Sequence, residues 1–368
     1  MTQRVYVASK KGLFVIEKQA ARWSIARTAF LGDNLSMLLP DPRDGTLYAC
    51  LDLGHFGVKV QRSRNDGASW EEIAAPTFPP QPEGVTEVDA FGKPWTWKVV
   101  KIWSLEAGHA NEPGVLWCGT IPGGLFRSSD SGASWELVRS LWEHPGRKRW
   151  FGGGADLPGI HSICVHPDDP RHITLGVSCG GVWVSTDGGA TWNCRADGMR
   201  AEYMPPEEAG NPNIQDPHRV VQCPAQPNYL WAQHHNGIFR STDGSQSWTE
   251  LAKTEPSHFG FAVAVHPRDG KTAWFIPAIK DERRIPVDGK VVVTRTRDAG
   301  ASFTILRDGL PQEHAYDLAY RHALDVDAAG NLLAFGTTTG SLWVSEDQGD
   351  HWQAVAHHLP PIFCVRIR

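Results

Sequence analysis

The chain has 368 residues, of which 41% are hydrophobic, and carries a formal net charge of −5 at pH 7. This weakly acidic net charge excludes the strongly basic surface of a nucleic-acid-binding domain. The sequence contains no run of eighteen apolar residues, which is about the length that a membrane-spanning helix needs. The opening residues lack the apolar core of a secretory signal. The seven cysteines form no CxxC pair, which indicates reduced thiols. We therefore expect a cytoplasmic protein without nucleic-acid or membrane partners.

Short runs rich in β-branched and aromatic residues follow one another along the whole chain, separated by Gly, Pro and Asp. Residues 4–28 contain three such runs, and six units of four runs each follow from residue 36. The first runs of these units are SMLLPDP, KVVKIWSL, HSICVHP, HRVVQCP, FAVAVHP and DLAYRHA. The chain ends with one further run, IFCVRI, at Ile362–Ile367. This pattern predicts an all-β fold.

An octapeptide of the form S/T-x-D-x-G-x-x-W/F occurs once in each of the six units. The copies are Ser63–Trp70, Ser128–Trp135, Ser185–Trp192, Ser241–Trp248, Thr296–Phe303 and Ser345–Trp352. Asp side chains bind turn amides and Gly accepts a positive φ, so the octapeptide predicts a tight turn that the aromatic side chain covers. We interpret the repeat as structural rather than catalytic.

The spacing of the octapeptides indicates the architecture. Their final aromatic residues lie 65, 57, 56, 55 and 49 residues apart, and four short strands per unit at such a period are typical of a β-propeller. The three N-terminal runs and the last run can together form one more blade. We therefore predict a single seven-bladed β-propeller over residues 1–368, closed by Ile362–Ile367, because an open ring would leave exposed strand edges.

The octapeptides resemble the Asp-box, or BNR, repeat over residues 44–355, with Asn65 and Ser245 departing from its pattern. This repeat occurs in bacterial sialidases, sortilin-type receptors, xyloglucan-cleaving glycosidases and a photosystem II assembly factor. The resemblance implies a propeller that is either a glycosidase or a non-catalytic binding protein. It does not imply sialidase activity, because the Arg-Ile-Pro string of sialidases occurs only at Arg284–Pro286, in the sixth blade, and no motif supplies a Tyr–Glu nucleophile pair.

Three long insertions indicate where a site should lie. Pro76–Trp97, Ser140–Ile160 and Arg195–Pro217 all fall on the face of the propeller opposite the octapeptides, and loops of this length are often functional. We predict the site at the mouth of the axial channel on that face. The alternative is that these loops only cover the rim.

Several histidines are also expected at this mouth of the channel, because they occur where the chain enters an inner strand. We predict that four of them converge and bind Zn, Mn or Fe: His161, His218, His258 and His314. The last two stand about three residues earlier in register. The predicted acid–base residues are His234, His235, Asp156 and Asp216. In the alternative interpretation, each is an ordinary turn residue.

Other polar side chains on these loops are candidates for substrate contact. They are His55, Trp97, Lys98, Arg149 and Tyr203. We interpret residues 281–284 as a solvated hairpin end. Oligogalacturonate and streptogramin lyases are similar in gathering imidazoles on a propeller axis. The sequence thus favours a hydrolase or lyase, with or without a divalent metal, acting on a small polar or saccharide ligand; the alternative is a non-catalytic propeller that binds a protein or a glycan.

Overall fold

The computed structural model describes residues 3–20, 22–89, 91–153, 155–251 and 254–368. Seven antiparallel sheets of four strands each make up the described chain, together with one small hairpin. The innermost strands of the seven sheets contact one another in closed cyclic order, so the sheets stand as blades around a channel. The predicted seven-bladed β-propeller is confirmed.

The strands of the first four blades, with the hairpin inserted between blades 2 and 3, have the following bounds: β1 (Arg4–Ser9), β2 (Gly12–Gln19), β3 (Arg22–Ala29); β4 (Leu35–Pro40), β5 (Leu47–Asp52), β6 (Val58–Ser63), β7 (Glu71–Ile73); β8 (Glu87–Val88), β9 (Pro94–Trp95); β10 (Lys101–Ala107), β11 (Leu116–Ile121), β12 (Leu125–Ser128), β13 (Glu136–Leu137); β14 (Gly159–Val165), β15 (Ile173–Ser178), β16 (Gly181–Ser185), β17 (Asn193–Cys194). Each blade runs outward from the channel in chain order, except that blade 1 begins with the last strand of the chain.

The remaining strands form blades 5, 6 and 7 and close blade 1: β18 (Pro217–Gln222), β19 (Leu230–His234), β20 (Gly237–Ser241), β21 (Thr249–Glu250); β22 (Phe259–His266), β23 (Asp269–Ala278), β24 (Val293–Thr296), β25 (Thr304–Leu306); β26 (Leu324–Val326), β27 (Leu333–Gly336), β28 (Leu342–Ser345), β29 (Gln353–Ala356); β30 (Ile362–Ile367). In the described parts of the connections lie one short helix, α1 (Arg139–Trp142), and four 3-10 turns. No helix of the described residues is long and apolar enough to cross a membrane.

The ring closes as the sequence predicts. Strand β30 pairs antiparallel with β1, with Val7 opposite Val365, and the Arg4 amide donates to the Arg368 carbonyl at 2.9 Å. The C-terminal strand thereby becomes the innermost strand of blade 1 and removes the open edge.

The octapeptides form the turns between the third and fourth strands of blades 2 to 7. In blade 3, Asp130 Oδ1 accepts the Ser134 amide at 2.8 Å, and Ser128 Oγ accepts the Gly132 amide at 2.9 Å. The two departing copies make the same turn. Asn65 Oδ1 accepts an amide at 2.9 Å, and Ser245 takes the left-handed conformation with φ of 64°.

The aromatic residue of each octapeptide joins neighbouring blades. Trp248 of blade 5 is buried, and its indole nitrogen donates to the Arg195 carbonyl of the preceding segment at 2.8 Å. Trp135 of blade 3 donates in the same way to the Ala74 carbonyl at 2.9 Å. The repeat is therefore a device for packing one blade on the next, which gives it a structural role.

The inner strands are irregular where they leave the channel mouth. Each inner strand of blades 2 to 6 slips in register against its neighbour within its first few residues. The residues at these bulges are Ser36, Trp103, His161, His218 and Phe261, with Ala262 beside the last. Because a bulge re-aims a side chain, these positions form a ring of residues at the mouth.

Blade 7 departs from the predicted pattern. The run DLAYRHA was expected to be its inner strand, but the strand begins only at Leu324. The Ala323 amide instead donates to the Tyr320 carbonyl at 3.0 Å, which closes a turn. This turn brings Arg321 and His322 to the channel mouth, where they are buried.

Candidate functional site

A cavity of about 120 Å³ opens at the predicted mouth, between blades 4, 5 and 6. It is lined by Phe151, Gly153, Cys179, Tyr203, Asp216, His218, His235, Phe261, Asp281, Arg284 and Arg321. We call it the Asp–His cavity. Its walls come from two of the long insertions, from the bulged starts of β18 and β22, and from the turn that precedes β26.

Three side chains of blade 5 meet in the Asp–His cavity. Asp216 Oδ2 lies 3.4 Å from His218 Nε2 and 3.5 Å from His235 Nδ1. Within the described ranges, these three residues are the one group of potential metal ligands whose donor atoms all lie within 4.8 Å of one another. The chain holds them there because the His235 amide donates to the Asp216 carbonyl at 3.0 Å, which ties the turn after β19 to the start of β18.

The orientation of His218 leaves one nitrogen free for the cavity. Its Nδ1 lies 2.7 Å from the Gly260 carbonyl, which can only accept, so Nδ1 carries the proton and Nε2 keeps its lone pair. Phe261 stacks on the ring with centroids 4.4 Å apart. A hydrogen bond from the distal nitrogen to a carbonyl is how metal-binding histidines are usually held.

The charges in this group support one another. Burial would raise the pKa of Asp216, but the hydrogen bond from His235 and the charge of Arg321 hold it well below its usual value. Burial lowers the pKa of His218 and keeps it neutral. For His235, burial acts in the same direction, but the hydrogen bond and charge of Asp216 raise its pKa. The cavity therefore holds an ionised carboxylate between a neutral imidazole and one that is readily protonated.

His234 supports this geometry from outside the cavity. Its Nε2 lies 3.1 Å from the Asp216 amide, and its ring packs on Phe239 with centroids 5.0 Å apart. Burial lowers the pKa of His234 to about 3, so it stays neutral. The predicted acid–base role does not fit this position, because the ring is fully buried and is not part of the cavity lining.

A close backbone approach completes the wall on the side of blade 4. Phe151 and Cys179 exchange backbone hydrogen bonds at 3.1 and 2.8 Å, which brings Gly153 next to Asp216. A Cβ atom on Gly153 would lie 2.5 Å from Cys179 Sγ and 3.1 Å from Asp216 Oδ2. Only glycine fits here without displacing its neighbours.

Tyr203 lies where the sequence places it, in the cavity wall. Its hydroxyl donates to the Ile214 carbonyl at 2.8 Å, and its ring meets that of His235 edge-on at 5.0 Å. Burial raises the pKa of Tyr203, so the phenol stays protonated. Because its one proton is donated to Ile214, the hydroxyl can accept a hydrogen bond from a bound molecule, but it does not act as a base.

Two arginines line the Asp–His cavity that the sequence did not predict as site residues. Arg284 pairs with Asp281, and its guanidinium lies 5.3 Å from the Phe261 ring centroid, so the expected solvated hairpin end forms part of the cavity wall. Arg321 lies in the turn that replaces the expected inner strand of blade 7. The position of Arg321 in the sequence could have indicated its place in the cavity, because it lies near the entry to an inner strand, as His161 and His218 do.

The other predicted metal ligands do not join His218. His161 occupies the equivalent bulge in blade 4 but is buried against Trp103, with ring centroids 5.6 Å apart, and its Nδ1 lies 2.9 Å from Ser162 Oγ. His258 and His314 are exposed in loops. In blade 6 the bulge falls at Phe261, three residues after His258, and in blade 7 the inner strand begins only at Leu324, ten residues after His314.

The remaining predicted residues lie outside the cavity. Asp156 is exposed, as are Lys98 and His55, whose ring lies edge-on to that of Phe56. Trp97 packs against Trp142 with centroids 5.1 Å apart and so helps to hold the first long insertion on the rim. Arg149 pairs with Glu208 at 2.9 Å and joins the second and third insertions.

A larger cavity of about 340 Å³ occupies the other end of the channel, near the prolines that follow the inner strands. Its charged side chains, Glu106, Arg219 and Asp325, have partners close by. Arg366 lies 3.6 Å from Glu106, Asp325 accepts the Ile367 amide at 2.7 Å, and Arg219 donates to the His161 carbonyl at 3.1 Å. We interpret these contacts between side chains and backbone at this end of the channel as a polar core that links neighbouring blades.

Comparison with known proteins gives relatives over part of the chain, and no family model matches it. Xyloglucanase Xgh74A of Acetivibrio thermocellus is 29% identical over 152 residues, which cover 34% of this chain and 16% of that protein. A xyloglucanase of Hypocrea jecorina is 24% identical over 259 residues, covering 67% of this chain and 25% of that protein. The chain thus spans a quarter or less of the length of these relatives.

Solved structures share the fold at low identity. An ancestral GH74 enzyme superimposes with a TM-score of 0.60 and 17% identity, covering 87% of this chain and 38% of the other. YCF48 bound to D1 peptide superimposes with a TM-score of 0.51 and 13% identity, covering 87% of this chain and 84% of the other. These likenesses show a shared propeller fold.

Proposed function

We propose that the chain is an enzyme, a hydrolase or lyase, that acts on a small polar or carbohydrate-like substrate in the Asp–His cavity. Asp216, His218 and His235 hold a divalent metal ion there. The observation that carries the proposal is the placement of two imidazole nitrogens around one carboxylate oxygen, at 3.4 and 3.5 Å, facing an open cavity.

The spacing of the three donor atoms suits a metal ion. Ligands that each lie about 2.1 Å from a tetrahedral ion are about 3.4 Å apart. His218 and Asp216 match that separation, and Nε2 of His218 already has its lone pair directed away from Gly260. Three protein ligands with further positions open are the usual arrangement of a catalytic site, and nitrogen with oxygen donors suits Zn, Mn or Fe.

The other residues of the cavity have defined tasks in such a reaction. The metal ion would activate water or polarise a substrate oxygen. Tyr203, held protonated and donating to Ile214, offers a hydrogen-bond acceptor and a ring face beside His235. Phe151 and Phe261 supply apolar walls, and the partial sequence similarity to xyloglucanases supports a carbohydrate-like substrate.

An activity screen tests the proposal. Purified chain, with and without added Zn, Mn or Fe, is incubated with a panel of oligosaccharides and sugar acids, and products are detected by mass spectrometry. Hydrolysis adds one water to the products and elimination does not, so product masses separate the two reactions. We expect turnover that a chelator removes and that Asp216→Asn abolishes. Turnover that is unchanged in Asp216→Asn would show that the active site lies elsewhere.

A second candidate is a non-catalytic propeller that binds a protein or a glycan. The large hydrophobic side chains that are exposed in the described chain lie, apart from Ile25, on the loops of the face that carries the cavity. Phe91 is 92% exposed and Phe56 is 77% exposed, and exposed apolar patches often mark binding surfaces. If the activity screen finds no turnover, capture on peptide and glycan arrays by wild type but not by Phe91→Ser would support this candidate.

A further inference from the structure

A second cavity, of about 200 Å³, adjoins the Asp–His cavity at the top of the channel. It is lined by Ser36, Lys101, Trp103, Tyr320, Arg321, His322 and Phe363, which come from the inner strands of blades 1 to 3 and from the turn before β26. We call it the arginine cavity. Arg321 lines both cavities and is the residue that they share.

The arginine cavity has two cations and no carboxylate among its lining residues. Arg321 is only 7% exposed, and its Nε and Nη2 atoms are buried without a hydrogen-bond partner among the described residues. Lys101 faces the same space. Buried guanidinium N–H donors without a hydrogen-bond partner are costly, so their position at a cavity favours a bound anion that accepts from them.

Aromatic rings hold these cations in place and shape the cavity. The Arg321 guanidinium lies 4.8 Å from the Trp103 ring centroid and 5.2 Å from that of Phe261. Lys101 Nζ lies 5.5 Å from the centroid of Phe363. The contacts with these two rings restrict the orientation of the guanidinium, which suits it to a flat, two-oxygen partner such as a carboxylate.

We propose that the arginine cavity binds the carboxylate of a ring-shaped organic acid, such as a sugar acid. Arg321 contacts the carboxylate through both of its free donors, Lys101 adds a second positive charge, and Trp103 and Phe363 cover the ring. This inference rests on the proposed function only where it places the bond that reacts in the adjoining Asp–His cavity. It names the class of substrate: an acidic sugar or a related cyclic acid rather than a neutral one.

Isothermal titration calorimetry in the presence of a chelator tests the binding without metal or turnover. Glucuronate and glucose share a ring and differ at the carboxylate, and inorganic phosphate probes the cations alone. We expect glucuronate to bind wild type at least about tenfold more tightly than glucose or phosphate does, since bidentate, charge-assisted hydrogen bonds are stronger than neutral ones. Arg321→Gln and Lys101→Met should each weaken glucuronate binding about tenfold, whereas Lys93→Gln, an exposed lysine on the same face, should not.

The two variants and Asp216→Asn separate this inference from the proposed function. Lys101→Met replaces a half-buried lysine by an uncharged side chain of similar length and serves if Arg321→Gln does not fold. Asp216→Asn should lose metal but keep glucuronate binding. Glucuronate that binds no better than glucose, or phosphate that binds as well as glucuronate, would overturn the inference even if the metal site were established.

Discussion

Asp216 and His218 stand two positions apart in the chain, and Oδ2 of the first lies 3.4 Å from Nε2 of the second. Asp216 lies just before β18, and the bulge at Pro217–Arg219 turns His218 towards the cavity. The turn after β19 then adds His235. The ends of two adjoining strands of one blade thus supply the whole group.

Metal binding should depend on this group and not on the exposed histidines. We expect His235→Gln to lose zinc binding in a calorimetric titration, because it removes one of three ligands. His358→Gln, on the rim and exposed, should bind zinc as wild type does. His258→Gln distinguishes the observed group from the four-histidine set predicted from the sequence, and a loss of zinc in that variant would favour the four-histidine set.

The close approach at Gly153 gives a second prediction. Gly153→Ala places a methyl group 2.5 Å from Cys179 Sγ and should displace the cavity wall, lowering zinc affinity with little change in the unfolding midpoint. Gly210→Ala is the matched control, since a Cβ atom at Gly210 has nothing within 4 Å. Equal zinc affinity in the two variants would show that the wall does not position Asp216.

The octapeptide aromatics should stabilise the ring without affecting the site. Trp248→Ala removes a buried indole that bonds to the preceding segment, and we expect a loss of about 3–5 kcal/mol in the free energy of unfolding, measured with urea. Zinc affinity of the folded fraction should stay unchanged. A stable variant that has lost zinc would instead place the site on the octapeptide face.

Acid should weaken the octapeptide turns. Hydrogen bonds from the side chain and amide of the residue four positions later lower the pKa values of Asp130 and Asp298, and that of Asp187 to about 2. Because the unfolded value is about 4, this stabilisation is complete above pH 4 and is lost as the pH falls towards 2. Urea midpoints across this range should fall less in Asp187→Asn than in wild type, and parallel curves would refute the assignment.

Ring closure predicts a strong effect at the C-terminus. Deleting residues 362–368 removes the innermost strand of blade 1 and exposes the edge of β1. We expect a loss of several kcal/mol in unfolding free energy and a tendency to associate, as the free edge pairs with other chains. Calorimetry and size-exclusion chromatography measure both, and a monomer that melts at the wild-type temperature would contradict this role for β30.

The fold could be predicted from the sequence because it is repeated. Each octapeptide specifies its turn locally, and Ile362–Ile367 had no partner except the N-terminal strands. The two departing copies keep the turn. The side-chain amide oxygen of Asn65 replaces the carboxylate oxygen of Asp, and Ser245 adopts the positive φ that Gly has in the other copies.

The site could be predicted only in part. Asp216, His218, His235 and Tyr203 were expected at the mouth and lie together there. His258 was misplaced because the bulge at Phe261 shifts the register of β22, and His314 because β26 begins later than its strand pattern predicts. Arg321 was missed because its segment has the pattern of a strand but folds as a turn.

The most direct measurement of the central claim is anomalous X-ray diffraction from crystals of the full chain soaked in zinc. We expect one strong peak within about 2.0–2.2 Å of Asp216 Oδ2, His218 Nε2 and His235 Nδ1. The absence of a peak at these atoms, or a peak at His161 or His314 instead, would contradict the assignment of the metal site to the Asp–His cavity.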